Sequence, residues 1–194
     1  MSTKVLKTRD RVLESAWTLL LGNQANAVRI SDIAKHAGIS RQAVYLHFPT
    51  RAELLIATTR YIDQVKGIDE RLAHSRSAST GVERLAAFID AWGNYIPEIY
   101  GVAKALMAMQ AQDPEAGQAW ADRMNAVREG CEAAVSALVL DGVLTQSLSH
   151  TEAVDLLWSQ LSVEHWAHLR HYCGWTQARY IAVLQHTLLG TLVD

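Results

Sequence analysis

"SDIAKHAGISRQAVYLHF", residues 31–48, decides how the chain is read. Its apolar residues Ile33, Ala34, Ala37, Ile39, Val44 and Phe48 fall at spacings that line the inner face of two short helices. Gly38 ends the first helix, because glycine enters the left-handed region without a Cβ clash. Ile39 bridges a tight turn. Ser40 is placed to cap the second helix with its hydroxyl oxygen, and Pro49 stops it. Two short helices joined by a glycine-containing turn of three to four residues form a helix-turn-helix. Small Ala34 and Ala37 let the two helices approach closely. Arg41, Gln42, Tyr45 and His47 remain on or near the outer face.

Those outer residues suit a duplex. The second helix of such a motif enters the major groove, where Arg41 matches guanine O6/N7 and Gln42 matches adenine N6/N7. Tyr45 and His47, with Arg29, Ser31, Lys35, Ser40 and Arg51 around them, suit phosphate contacts, which position a protein without reading sequence. Helix N-termini add backbone N–H groups that favour phosphate. Taken alone, Tyr45 and His47 read equally well as surface residues of a small helical domain. Charge adds to the spacing, although alone it reads equally well as an ordinary uneven surface: residues 1–51 hold eight Lys/Arg (Lys4, Lys7, Arg9, Arg11, Arg29, Lys35, Arg41, Arg51) against three acids (Asp10, Glu14, Asp32). The other residues hold ten Lys/Arg against seventeen acids, so a basic head precedes an acidic body.

Working outward, apolar residues recur at steps of three and four nearly throughout, and the chain reads as all-α. Val5, Val12, Ala16, Leu19 and Leu20 mark a first helix that Gly22-Asn23 stops. Ser31, or the residue before Ile30, starts the second. Thr50 and Glu53 form a capping box for a fourth helix reaching toward His74, with a kink or end possible at Gly67. Residues 74–81 read as a loop. A helix then runs from Val82 to Ile96, Pro97 opens the next, and Asp113-Pro114-Glu115 opens another that reaches Leu140. Helices over 151–172 and 176–192 close the chain, with Cys173-Gly174 between them. The boundary falls near residue 50: a helix-turn-helix head over 1–50 and a larger helical body over 51–194.

Over residues 9–56 the chain resembles the tetracycline-repressor (TetR) family. The resemblance rests on "RVLESAWTLL" and "ISDIAKHAGISRQAVYLHFPTRAELL", above all Ile33-Ala34, Ala37-Gly38-Ile39-Ser40, Tyr45, His47-Phe48 and Leu54. It implies a dimeric all-α transcription regulator, usually a repressor, that leaves DNA when a small molecule enters its C-terminal domain. It also implies that Tyr45 and His47 touch phosphate and that Arg51 stands where a lysine is usual. Three positions depart from the pattern. Leu20 replaces a phenylalanine, Gln24 replaces a glycine after the first helix, and Arg29 replaces the threonine that usually caps the second. Either Ser31 is the substitute cap or the cap is weaker, and Arg29 is then left for phosphate.

The body gathers Trp92, Trp120, Trp158, Trp166 and Trp175 with Met107, Met109, Met124, Tyr95 and Tyr100. Any one of them is an ordinary core residue. As a group they can line a cavity for an apolar or aromatic effector, and Trp92, Tyr95, Met107, Trp120, Met124 and Trp158 are the candidates. The last two helices are apolar on more than one face, so burial is expected there. The resemblance implies that they pair with their copies as a four-helix bundle. A homodimer then presents two heads to a palindromic operator.

The alternative is a metal-responsive regulator using His165, His168 and His171, although steps of three rotate His165 and His171 apart around a helix. HExxH, GxSxG, P-loop and dinucleotide fingerprints are missing, so catalysis is not expected, and no cofactor is implied. Two cysteines without a CxxC pair, no signal peptide and no apolar run of membrane length fit a cytoplasmic protein.

Overall fold

A computed structural model describes residues 3–22 and 28–194, with the side chains of residues 3–6 excepted. Asn23 and Gln24, where a turn and a departure from the family pattern are expected, lie outside the described residues. The helices are α1 Thr3–Gly22, α2 Ile30–His36, α3 Arg41–His47, α4 Arg51–Val65, α5 Ile68–Arg76, α6 Gly81–Met109, α7 Pro114–Leu140, α8 His150–Gln160, α9 Val163–Ala167 and α10 Gln177–Leu192. A π-helical turn, His168–Tyr172, follows α9. Among the described residues there is no strand, only an isolated antiparallel bridge between Leu144 and Val193. None of their helices is long and apolar enough to cross a membrane.

The chain divides into two compact units, Met1–Lys66 with Ile99–Met124, and Gly67–Glu98 with Asn125–Asp194. In the first, Val12, Leu13, Ala16 and Leu20 of α1 are buried with Ile33, Ala34, Val44, Phe48, Leu54 and Leu55. Each large apolar side chain so buried contributes about 1.5–3 kcal/mol. Arg9 lies over the Phe48 ring at 5.1 Å, and the Tyr61 hydroxyl donates to Glu14 at 3.0 Å, fastening α4 to α1. Burial, then the bond to Glu14, pushes the Tyr61 hydroxyl pKa upward.

Several helix ends differ from the sequence reading. Neither Ser31 nor any other side chain caps α2: Arg29 holds the N-cap position without a side-chain bond. The capping box at α4 is half formed. Thr50 Oγ1 accepts from the Glu53 amide at 3.1 Å, but the Glu53 carboxylate takes the Thr50 hydroxyl at 3.4 Å. α4 stops at Val65 rather than nearing His74, because Gly67 sits at φ +67°. α8 and α9 divide the helix expected over 151–172. There the Ser162 hydroxyl accepts from the His165 amide and starts a new helix.

Pro97 does not open a helix. It lies inside α6. Proline brings no N–H, so the carbonyl four residues back, that of Gly93, loses its helical partner. Gln177 supplies the replacement: its Nε2 donates to Gly93 O at 2.9 Å and to Asn94 Oδ1 at 3.2 Å. Its Oε1 accepts from Trp166 Nε1 at 2.9 Å. The orphaned carbonyl is thus satisfied from α10, which is why the helix survives its proline.

Candidate nucleic-acid interface and ligand cavity

α3 carries the candidate interface. Ser40 Oγ accepts from the Ala43 amide at 3.1 Å, which fixes the start of the helix and leaves the hydroxyl proton for a ligand. Val44 and Phe48 point into the core, while Arg41, Gln42, Tyr45 and Leu46 are exposed and His47 is half-buried. Leu46, which sequence reasoning passed over, is 83% exposed. The heptapeptide's own register predicts that, since residue 46 lies two past buried Val44, on the far side of a 3.6-residue turn.

Two grooves flank α3. One is lined by Arg29, Ser31, Arg41, Tyr45, Thr50, Arg51 and Glu115, and so joins five of the residues expected to meet DNA. The other contains Arg9, Asp10, His47, Phe48, Glu53 and Arg60. Tyr45 and His47 therefore open to different sides of the recognition helix. Lys35 is exposed on α2 outside both linings.

Arg51 is set apart from the others. Its side chain is 12% exposed and its donors are engaged inside the protein. Nη1 and Nη2 meet Asp113 Oδ1 and Oδ2 at 2.9 and 2.8 Å, Nη1 meets Glu115 Oε2 at 3.3 Å, and Nε donates to Val28 O at 2.6 Å. At the position where a phosphate contact is expected, the guanidinium is held by ion pairs to Asp113 and Glu115.

A small cavity of about 20 Å³ lies in the same unit, lined by Thr59, Ile62, Asp63, Ile99, Val102, Ala103, Leu106, Trp120 and Arg123. Its walls are apolar apart from Thr59 and the Asp63–Arg123 ion pair at 3.2 Å, whose side chains are 13% and 14% exposed. A space of this size holds about one water. An organic molecule enters only if α4, α6 or α7 shifts. Of the six aromatic and thioether candidates, Trp120 alone lines it.

Elsewhere, Trp92 is buried, donates to Leu161 O at 2.9 Å and packs on Tyr95 at 5.7 Å. Trp158 is half-buried beneath the Arg128 guanidinium. Met107 and Met124 are half-buried and outside the cavity lining. A lone sequence cannot separate an aromatic that fills a core from one that borders a void. Asp63 and Arg123 were missed because only the fold pairs them.

Among the described residues no group of three or more His, Cys, Asp or Glu could hold a metal ion. His165 packs on Tyr180, His168 on Tyr172 and His171 on Trp166, so the three rings have separate partners.

Residues 12–58 match the family described as bacterial regulatory proteins, tetR family. The HTH-type transcriptional regulator CymR of Pseudomonas putida is 25% identical over 164 residues, 80% of this chain and 74% of that protein. BetI of Rhizobium meliloti, another HTH-type transcriptional regulator, is 35% identical over 82 residues, 42% of this chain and 40% of that protein. Two solved structures share the fold. NalD, the secondary repressor of the MexAB-OprM multidrug efflux pump in Pseudomonas aeruginosa, has a TM-score of 0.68 at 20% identity, covering 98% of each chain. FadR from Bacillus subtilis in complex with stearoyl-CoA has a TM-score of 0.73 at 15% identity, covering 93% of this chain and 97% of that one. Residues 12–58, with the helix-turn-helix built from Ile33, Ala34, Val44 and Phe48, thus match the tetR family of bacterial regulatory proteins, and the chain as a whole shares the all-helical fold of these structures.

Proposed function

We propose that the protein is a cytoplasmic, ligand-responsive repressor that binds a palindromic operator as a homodimer. The observation that carries this reading is α3, which buries Val44 and Phe48 and leaves Arg41, Gln42, Tyr45 and Leu46 exposed between two grooves. Residues 1–50 form the DNA-binding head and 51–194 the effector and dimerisation domain. Arg41 and Gln42 read base edges, and Leu46 packs on thymine methyl groups. Arg29, Ser31, Lys35, Ser40, Tyr45 and His47 hold phosphates.

The effector is a small, largely apolar molecule. It enters at the cavity around Trp120, where the apolar wall and the ion pair of α4 and α7 meet. Its binding shifts α4, and the separation of the two heads in the dimer departs from one turn of DNA, about 34–36 Å. NalD is named as a repressor and FadR was solved with stearoyl-CoA, which agrees with the class of function without naming this chain's effector. α8 and α10 supply the dimer contact. α10 buries Tyr180, Ile181, Leu184, Leu188 and Leu192 and leaves Ala178, Ala182, His186 and Gly190 exposed at steps of four. The small Ala178, Ala182 and Gly190 of that row let a second helix come close.

Selection of duplexes from a random pool by the purified chain, at two salt concentrations, tests the reading. An enriched palindrome whose affinity falls steeply with salt is the expected result. Recovery of no sequence over background overturns it.

A further inference from the structure

The first turn of α7 brings two carboxylates to the first turn of α4. Besides meeting Arg51 Nη1 through Oε2, Glu115 accepts from the Ala52 amide, N to Oε1, at 3.1 Å. A guanidinium and a backbone N–H at the start of a fifteen-residue helix converge on one spot. This is the donor set a phosphate oxygen uses. The spot adjoins the DNA-facing surface: Glu115 lines the same groove as Arg29, Ser31, Arg41 and Tyr45. Burial raises the Asp113 carboxyl's pKa, but the bonds from Arg51 and the Ala116 amide outweigh it and leave the group below its ordinary value. Asp113 is therefore an anion at neutral pH.

We propose that Arg51 and the Ala52 amide form a DNA-phosphate site that the chain keeps closed with its own Asp113 and Glu115. The proposal rests on the DNA-binding reading above. The logic is competition for donors. A fork that holds a carboxylate with both Nη atoms cannot hold a phosphate with the same atoms. A phosphate arriving in the groove is repelled by Glu115 and attracted by Arg51, so operator and α7 contend for one guanidinium. Linkage makes this reciprocal: whatever draws Asp113 and Glu115 from α4 strengthens DNA binding, and bound DNA loosens the start of α7 to the same degree. Trp120 and Arg123 belong to the same helix and line the cavity. An effector there acts on a segment that ends at the clasp.

The test uses the full chain and an operator recovered by selection, with affinity followed across a salt series. Asp113→Asn with Glu115→Gln is expected to tighten binding. It should also steepen the plot of log affinity against log salt by about 0.9 for each phosphate gained per head. Arg51→Ala added to that pair should remove both changes. A merely structural clasp would not move the salt slope. An unchanged slope, or weaker binding by a variant of normal helicity and melting temperature, overturns the proposal and leaves the DNA-binding reading standing. If the double variant melts early, Glu115→Gln alone serves, since Glu115 is 42% exposed, and the same steepening is expected. A wild-type chain that binds no duplex while the variant does supports a closed site. If neither binds any duplex, both readings fall.

Discussion

A guanidinium cannot shed its proton, so where an arginine is buried its neighbours must answer the charge. Arg123 shows this in its most dependent form, held beside Asp63 with little solvent. Removing one partner takes away the opposite charge that answers the other in a site with little solvent. Arg123→Ala is therefore expected to cost about 3–5 kcal/mol in urea unfolding, whereas Asp63→Leu with Arg123→Met together should lie much closer to wild type. Equal losses in the two variants would sink the argument. The cysteines differ just as sharply. Cys131 is buried, and burial raises its thiol pKa to about 12, while Cys173 is exposed. At pH 7.5 a thiol reagent should modify one cysteine of the folded protein quickly and the second only after unfolding. Two fast equivalents would contradict the burial of Cys131. At this scale the sequence was legible wherever chemistry is local. Ser40 caps, Val44 and Phe48 are inside, and Arg41, Gln42 and Tyr45 are outside. It was illegible where a partner comes from far along the chain, as with Asp113 and Arg51, 62 residues apart.

Elements obey the same division. Starts marked by a side chain a few residues away, at Ser40 and at Asp113-Pro114, could be read. The break at Ser162 was overlooked, and the continuity of α6 could not have been read. It depends on Gln177, 84 residues after Gly93. Gln177→Leu should cost about 2–4 kcal/mol, because it strands the Gly93 carbonyl and the Trp166 indole N–H together. Adding Pro97→Ala restores the helical donor, so the double variant should be less destabilised than the sum of the singles. Strict additivity in chemical denaturation would count against the link. α9 is expected to carry a pH dependence. Burial first, then the charge of His168, lowers the His165 pKa below 6.5. A histidine held neutral in the fold stabilises it above the unfolded pKa, and that contribution is lost as pH falls through 6.5 toward the lowered value. Between pH 7.5 and 5.5 the melting temperature of wild type should fall further than that of His165→Gln. Parallel curves would show that His165 carries no such linkage.

For the molecule as a whole, the match of residues 12–58 to the tetR family and the all-helical fold were readable, because the helix-turn-helix spacing is dense and contiguous. The cavity was not. It is a space left between residues, and no single residue type announces it. Dimerisation joins both scales. In the proposed dimer, the exposed row Ala178, Ala182, His186 and Gly190 is the face on which a second copy closes. Ala182→Glu should give a monomer of unchanged helical content with operator affinity down by at least about 100-fold, since a single head loses the second half-site. Sedimentation and operator titration check this. A dimer that survives the glutamate would move the interface elsewhere.

The bond from Gln177 to the carbonyl that Pro97 orphans also bears on how relatives of this chain diverge. The amide at 177 answers a deficit created at 97 and at the same time receives the indole at 166. Natural selection sees these three sites as one character. Descendants that replace the proline release position 177 from its duty as a donor. Those that keep it must retain an amide there or supply another N–H. Substitutions at 97, 166 and 177 should accordingly be inherited in company, although the sites are scattered over 81 positions of the sequence.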